Sequence, residues 1–349
     1  MQNRLAQSRK STGLSLRPLA DQVGVSAMAL SKYERGLITP SPPVLSRLAQ
    51  ALGVSINYLQ GENIPTLQGV EYRAAGRLTP ISKKRIHASL IKQIEARFEA
   101  EELLPNLRPK PFTLPRMPKR VDSLESIEPI AQSMRKHWQL GNAPIPNLTN
   151  LLETHGVRTF ITPTKDEHFD GLSAHYGDTP IVATGSGWPG DRQRFTLAHE
   201  LGHLVLENRL APHLDEERAC HRFAGAFLAP SSSFGDRFTK DATNPFSFYM
   251  LKHEWGLSMR ACLYRCSDLG LMSQLEVRRW WARFRKRGWV KQEPGEPIAR
   301  EHPTQVLRLL VDAYVAGRLA KDLVATLLDV PPDVLDQIVD FDLESDSGA

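Results

Sequence analysis

Apolar residues over the first sixty positions recur at helical spacing and are punctuated by glycine. Leu16, Leu19 and Ala20 lead to Gly24, Ser26 opens a segment running to Arg35 and Gly36, and residues 4–11 precede Gly13. Pro42-Pro43 suits a helix's first turn, and Val44, Leu45, Leu48, Ala49 and Leu52 make one face before Gly53. The pattern loosens over 63–126, where a charged helical stretch at 82–102 gives way to Pro105, Pro109, Pro111, Pro115 and Pro118 among basic residues. Such a stretch reads as a linker that wraps a surface.

From 127 the periodicity returns. Ile130, Met134 and Trp138 mark one helix, and Leu148, Leu151 and Leu152 another. Residues 157–161 and 180–183 are short β-type runs between turn residues, as in a small sheet. After Pro230 the chain is helical again, with Trp280, Trp281, Phe284 and Trp289 among basic residues, and 304–339 reads as two or three small helices. The expected organisation is multidomain and mostly α. An all-α domain at 1–62 precedes the linker at 63–126, an α+β domain with a small sheet at 127–290, and a helical C-terminal segment at 291–349.

Composition narrows the class. The 349 residues exceed one ordinary domain, and 41% hydrophobic with 24% charged residues is typical of a soluble globular chain. No apolar run is long enough for a membrane span, and the N-terminus lacks an apolar signal segment. Cys220, Cys262 and Cys266 are too few for a disulfide framework and suit a reducing cytoplasm. A net charge of +5 permits a polyanionic partner without demanding one.

Within 1–62, Ala20, Gly24 and Val25 sit where a helix-turn-helix needs a small residue, a turn glycine and a packing residue. Ser26 caps the second helix, Leu30 docks it, and Ala27, Met28, Ser31 and Lys32 are expected to be exposed toward base edges or phosphates, with Arg35 at its end. The segment holds seven Lys+Arg against three acids, an excess that suits double-stranded DNA.

The second signal is RFTLAHELGHLVLE at 194–207. His199 and His203 are four residues apart on a helix, so their imidazoles leave one face and reach one ion. Glu200 stands beside them as a base for an activated water, and Zn²⁺ is the expected cofactor. A third ligand is expected from the helix beginning at Glu216. There Glu217 and His221 share a face, while Glu216 lies about 100° away from Glu217. Cys220, Cys262 and Cys266 read as core, and Tyr249, His253 and Tyr264 as candidate transition-state donors.

Two resemblances sharpen these readings. Gly24-Val25-Ser26, Tyr33-Glu34-Arg35-Gly36 and Leu48-Ala49 through Gly53-Val54-Ser55 closely resemble the Xre/Cro-type repressors, with Ala27 and Met28 where that family often has a polar residue such as Gln. The region 127–289 is similar to the ImmA/IrrE family of zinc metallopeptidases. The similarity lies in Phe169-Asp170-Gly171-Leu172-Ser173, Asp191 to Phe195, His199-Glu200-Leu201-Gly202-His203 and Leu228-Ala229-Pro230. That likeness implies Glu217 as the third zinc ligand and puts His221 where the family usually has Asn. Since one recognition helix contacts only a half-site, a homodimer on a pseudo-palindromic operator is expected of the N-terminal domain. The likeness also implies a zinc endopeptidase that would cleave a repressor or antitoxin-like partner to switch gene expression. The competing expectation is a transcription factor or antitoxin whose peptidase-like domain senses a ligand or binds a partner without proteolysis.

Overall fold

The computed structural model describes residues 5–6, 8–9, 14–52, 59, 67–74, 78–162, 169–238, 244–328 and 330–337. The chain folds into two compact units, one of residues 1–66 with 94–102, the other of 67–93 with 103–349.

In the first unit, α1 (Leu16–Val23), α2 (Ala27–Glu34) and α3 (Pro42–Leu52) close over Leu19, Ala20, Val23, Leu30, Tyr33, Leu45, Leu48 and Leu52. Gly24 ends α1 at φ +71°, a left-handed conformation that costs glycine little and turns the chain sharply into α2. The Ser26 hydroxyl caps α2 by accepting from the Ala29 amide at 3.1 Å. Two of the cations are consumed internally. Arg47 Nε donates to the Val23 carbonyl at 2.8 Å, and Arg9 forks onto Glu34 at 2.6 and 3.0 Å. Gly53-Val54-Ser55 lies outside the described residues.

The second unit is built on a four-stranded mixed sheet of order β1-β3-β4-β2, from β1 (Leu67–Ala74), β2 (Arg158–Thr162), β3 (Phe169–Tyr176) and β4 (Thr179–Gly185). β3 is antiparallel to β1 and β4, and β2 is parallel to β4. The charged stretch is helix α4 (Pro80–Leu103). Two strands escape the sequence pattern. β1 falls in the stretch read as linker, with a sequence, LQGVEYRA, that is interrupted by polar residues and whose register shifts twice. β3 is buried on both faces except at His175, so it lacks the alternation that betrays a half-exposed strand.

Helices α6 (Leu148–Thr154) and α7 (Gly190–Leu206) pack on the sheet, α8 (Glu216–Leu228) packs on α7 and on α5 (Ile127–His137), and α9 (Ser231–Arg237), α10 (Pro245–Trp255), α11 (Met259–Asp268) and α12 (Gln274–Lys286) follow. α13 (Thr304–Val315) and α14 (Lys321–Leu328) complete the described helices. α7 is the central element: all its residues but Arg192 and Phe195 are buried, as expected of a helix enclosed on every side.

A strap at 298–301 pins the start of α7. The Gly190 amide donates to the Ile298 carbonyl at 2.9 Å, an approach so close that a Cβ at Gly190 would lie 2.0 Å from the Ala299 oxygen. Gln193 and Glu301 exchange reciprocal hydrogen bonds of 2.8 Å between side chain and backbone. The buried Glu301 carboxylate pairs with Arg194 and accepts the Leu148 and Thr149 amides at 2.7 and 3.0 Å, so one anion holds α7 and caps α6.

Candidate metal centre

α7 and α8 bring the predicted ligands together. His199 and His203 point their Nε2 atoms at one another, 3.1 Å apart, and the Glu217 carboxylate closes the triangle at 3.4 Å from His199 and 3.6 Å from His203. α8 is oriented for this by its first turn, where Asp215 caps the helix by accepting the Arg218 amide at 2.7 Å. Glu216 turns the other way and meets His203 Nδ1 at 3.1 Å. A carboxylate on Nδ1 fixes the tautomer and leaves the Nε2 lone pair facing the cluster.

The donor set fits zinc. Four ligands at about 2.0–2.1 Å in tetrahedral array are roughly 3.3 Å apart, close to the three separations here, and two imidazoles with one carboxylate leave a position open for water. The charges of the cluster pair with one another. Hydrogen bonds from His199 and then His203 hold the Glu217 carboxyl far below its usual range. Burial opposes charge on His203, yet hydrogen bonds to Cys220 and Glu217 and the nearby charge of Glu200 outweigh it and raise the imidazole well above its ordinary value. Burial raises the Cys220 thiol, so of these two partners the carboxylate is the one that bears negative charge at neutral pH.

Glu200 is fully buried beneath β3. Gly171 makes room for it: a Cβ there would fall 2.4 Å from Thr196 Cγ2, 2.8 Å from the Ala183 oxygen and 3.4 Å from Glu200 Oε1. The motif at 169–173 thus carries a steric requirement. Asp170 beside it pairs with Arg192 at 2.5–2.9 Å, tying β3 to α7.

His221 is exposed. Its ring lies 4.5 Å from that of His199, and its Nδ1 meets the Glu217 carbonyl at 2.6 Å. Among the described residues the clusters able to hold an ion are His199, Glu217 and His221, and His203, Glu216 and Cys220, each joining one histidine of α7 to two residues of α8. Cys262 and Cys266 are core residues. Tyr249 and His253 are tilted against each other and Tyr264 meets Trp281 edge-on, so their ring contacts lie with other aromatics and not with the histidine pair.

On the other candidate surface, Met28 is 70% exposed and Ser26 and Arg35 are exposed. Ala27, Ser31 and Lys32, expected to be exposed, are only partly so. They are half-buried, and Ala27 packs against the core because it follows the cap directly and leans toward the domain interior.

Comparison with known proteins adds the following. Residues 5–59 match the profile of a helix-turn-helix family, and residues 152–267 that of the IrrE N-terminal-like domain. The chain joins an Xre-like helix-turn-helix domain to an IrrE/ImmA-like domain of the M78 peptidase family. It is similar to HTH-type transcriptional regulators of Mycobacterium tuberculosis, strains CDC 1551 and H37Rv, each 36% identical over 87 residues. The alignments cover 25% of this chain and 54% of each relative, so the chain spans about half their length. The chain thus carries a segment similar to helix-turn-helix domains ahead of one similar to a peptidase domain. Among the described residues no helix is long and apolar enough to cross a membrane.

Proposed function

We propose that the peptidase-like domain is an active zinc endopeptidase that cleaves a partner protein, a repressor or antitoxin-like regulator, and thereby switches genes governed by the helix-turn-helix domain. The observation that carries this reading is the convergence of His199, His203 and Glu217 beside a buried Glu200. A purely structural zinc site has no use for that carboxylate. When bound, zinc supplies Lewis acidity and brings a water's pKa toward neutrality. His199, His203 and Glu217 hold the ion, Glu216 orients His203, and Glu200 takes the proton of the attacking water and returns it to the leaving amine. On the DNA side, Ser26, Met28, Ser31, Lys32 and Arg35 contact one half-site, with Ala27 packed behind them. A homodimer reads a pseudo-palindromic operator in the cytoplasm.

The test is Glu200→Gln, which keeps the shape of the side chain and removes the base. Partner cleavage should fall about a hundred- to ten-thousand-fold, while zinc content and operator binding stay near parental. Glu217→Ala should lose zinc by elemental analysis. If Glu200→Gln induces its target genes as well as the parent, the domain works as a sensor or partner-binding module instead.

A further inference from the structure

The basic, tryptophan-rich stretch that follows Pro230 has no part in the metal centre. Residues 278–291 hold seven Lys and Arg and no acid, more positive charge than the net +5 of the whole chain. Helix α12 sorts these residues by face. Val277, Trp280 and Phe284 are buried and seat it in the core, and Ser273 with Glu276 closes a capping box at its start. Arg278, Arg279, Arg283, Arg285 and Lys286 are all exposed. At about 100° per residue they fan over an arc of about 160° opposite the buried side. Arg287 and Lys291, exposed as well, continue the face beyond the helix end.

Among the described residues no ion pair neutralises this face. The flanking acids are engaged elsewhere, Glu276 by Ser273 and Glu293 by Lys252 and the amides of Met259 and Arg260. Like charges four apart on a helix repel, as Arg279 does Arg283 and Arg283 does Arg287. A polyanion laid on the face relieves that repulsion. Two guanidiniums are held ready for one: Arg283 lies over the Trp280 ring at 4.9 Å and Arg287 over Trp289 at 4.7 Å. A guanidinium stacked by its plane keeps its N–H edge for a phosphate, which it can fork. A lipid surface fits less well. A membrane-surface helix dips an apolar face into the bilayer, whereas the apolar face of α12 is spent on the core and leaves Leu275 on the outer side.

We propose that the outer face of α12, with the turn after it, is a second nucleic-acid surface that holds duplex DNA by its phosphates without reading sequence. The choice of duplex DNA among polyanions rests on the DNA reading of the first unit, whose match is to helix-turn-helix domains; the peptidase reading plays no part. A chain that grips DNA at one unit presents this face to the same polymer at high effective concentration. The first unit gains from it, because two of its own cations, Arg9 and Arg47, are turned onto Glu34 and the Val23 carbonyl.

The test uses full-length protein and a fluorescein-labelled duplex of random sequence, followed by anisotropy over a range of KCl. Each phosphate contact contributes about 0.9 to the slope of log affinity against log salt. Arg278→Gln, Arg279→Gln, Arg285→Gln and Lys286→Gln, made together, should flatten that slope by about 2–3.5 and weaken binding roughly thirty- to a thousandfold at about 0.15 M salt. Because these side chains lose only mutual repulsion, the variant should melt no lower than the parent. Arg278→Lys, Arg279→Lys and Arg285→Lys should keep the parental slope, which counts charges. Lys32→Ala with Arg35→Ala is the counterpart in the first unit. A glutamine variant with the parental slope overturns the proposal, and if the first-unit variant has then lost the duplex, the DNA reading of that unit survives. A lysine variant as weak as the glutamine one overturns it too, as does parental protein that leaves the duplex free while binding an RNA hairpin or phosphatidylserine vesicles. Loss in the glutamine variant alone supports the face and counts against the first unit as a DNA-binding one.

Discussion

Replacing Glu301 by glutamine tests whether the strap holds the metal helix in place. Arg194 is 4% exposed, and among the described residues its charge partner is Glu301. The same carboxylate accepts two amides at the start of α6. Glu301→Gln keeps the size of the side chain but leaves a guanidinium buried beside a neutral amide, whose own N–H group conflicts with those donors. Breaking one partner of a buried ion pair costs about 3–5 kcal/mol, a large share of the roughly 5–15 kcal/mol that holds a domain together. For a unit of this size the melting temperature should fall about 6–20 °C. The control is Arg194→Met with Glu301→Leu, which removes both charges and should recover much of the loss, since an apolar pair of similar volume replaces an ion pair at little cost. Calorimetry on the three proteins decides. A Glu301→Gln melt within about 2 °C of the parent, or a double variant no better than the single one, would refute the claim that this anion anchors α7.

Gly171→Ala should place a methyl group against Thr196 and the Ala183 carbonyl, destabilising the unit by about 1–3 kcal/mol and reducing cleavage through displacement of Glu200; an unchanged melt would show that β3 has slack there. Ser26→Ala should cost the first unit about 1 kcal/mol by uncapping α2, read by urea denaturation. Burial pushes the Glu128 carboxyl up, but the Arg265 fork at 2.6 and 2.7 Å more than offsets this and lowers its pKa. A depressed carboxylate contributes stability that is present above its ordinary value of 4.5 and fades as pH falls through the lowered one. Glu128→Gln should therefore narrow the stability gap to the parent as acid is added below that pH, and a gap constant from pH 7 to 3 would contradict the pairing.

Much of the site was legible because its signals are local. Two histidines four residues apart share a face wherever they lie on a helix, and the glycine-punctuated helices of the first unit declare their turns. The choice of Glu217 over Glu216 came from the family resemblance, helix geometry saying only that the two should not both face the metal, and each meets a different imidazole nitrogen. What escaped was non-local. Glu301 sits in an irregular tail 107 residues from Arg194, with nothing nearby to mark it as buried. β1 hides in polar sequence because its structure depends on pairing with β3. The partial burial of Ala27 was missed since a short helix shows too few positions to fix its inward face.

The strap also orders events in time. Synthesis proceeds at roughly 5–20 residues per second, so the 107 residues between Arg194 and Glu301 separate their emergence by roughly 5–20 s. Through that interval the helix-turn-helix is already complete, whereas the metal helix has both histidines but lacks the anion that settles its first turn. A nascent chain would therefore complete its first unit before the helix that carries the histidine pair is anchored. Any cut between residues 206 and 298 would undo the second step and leave the first untouched.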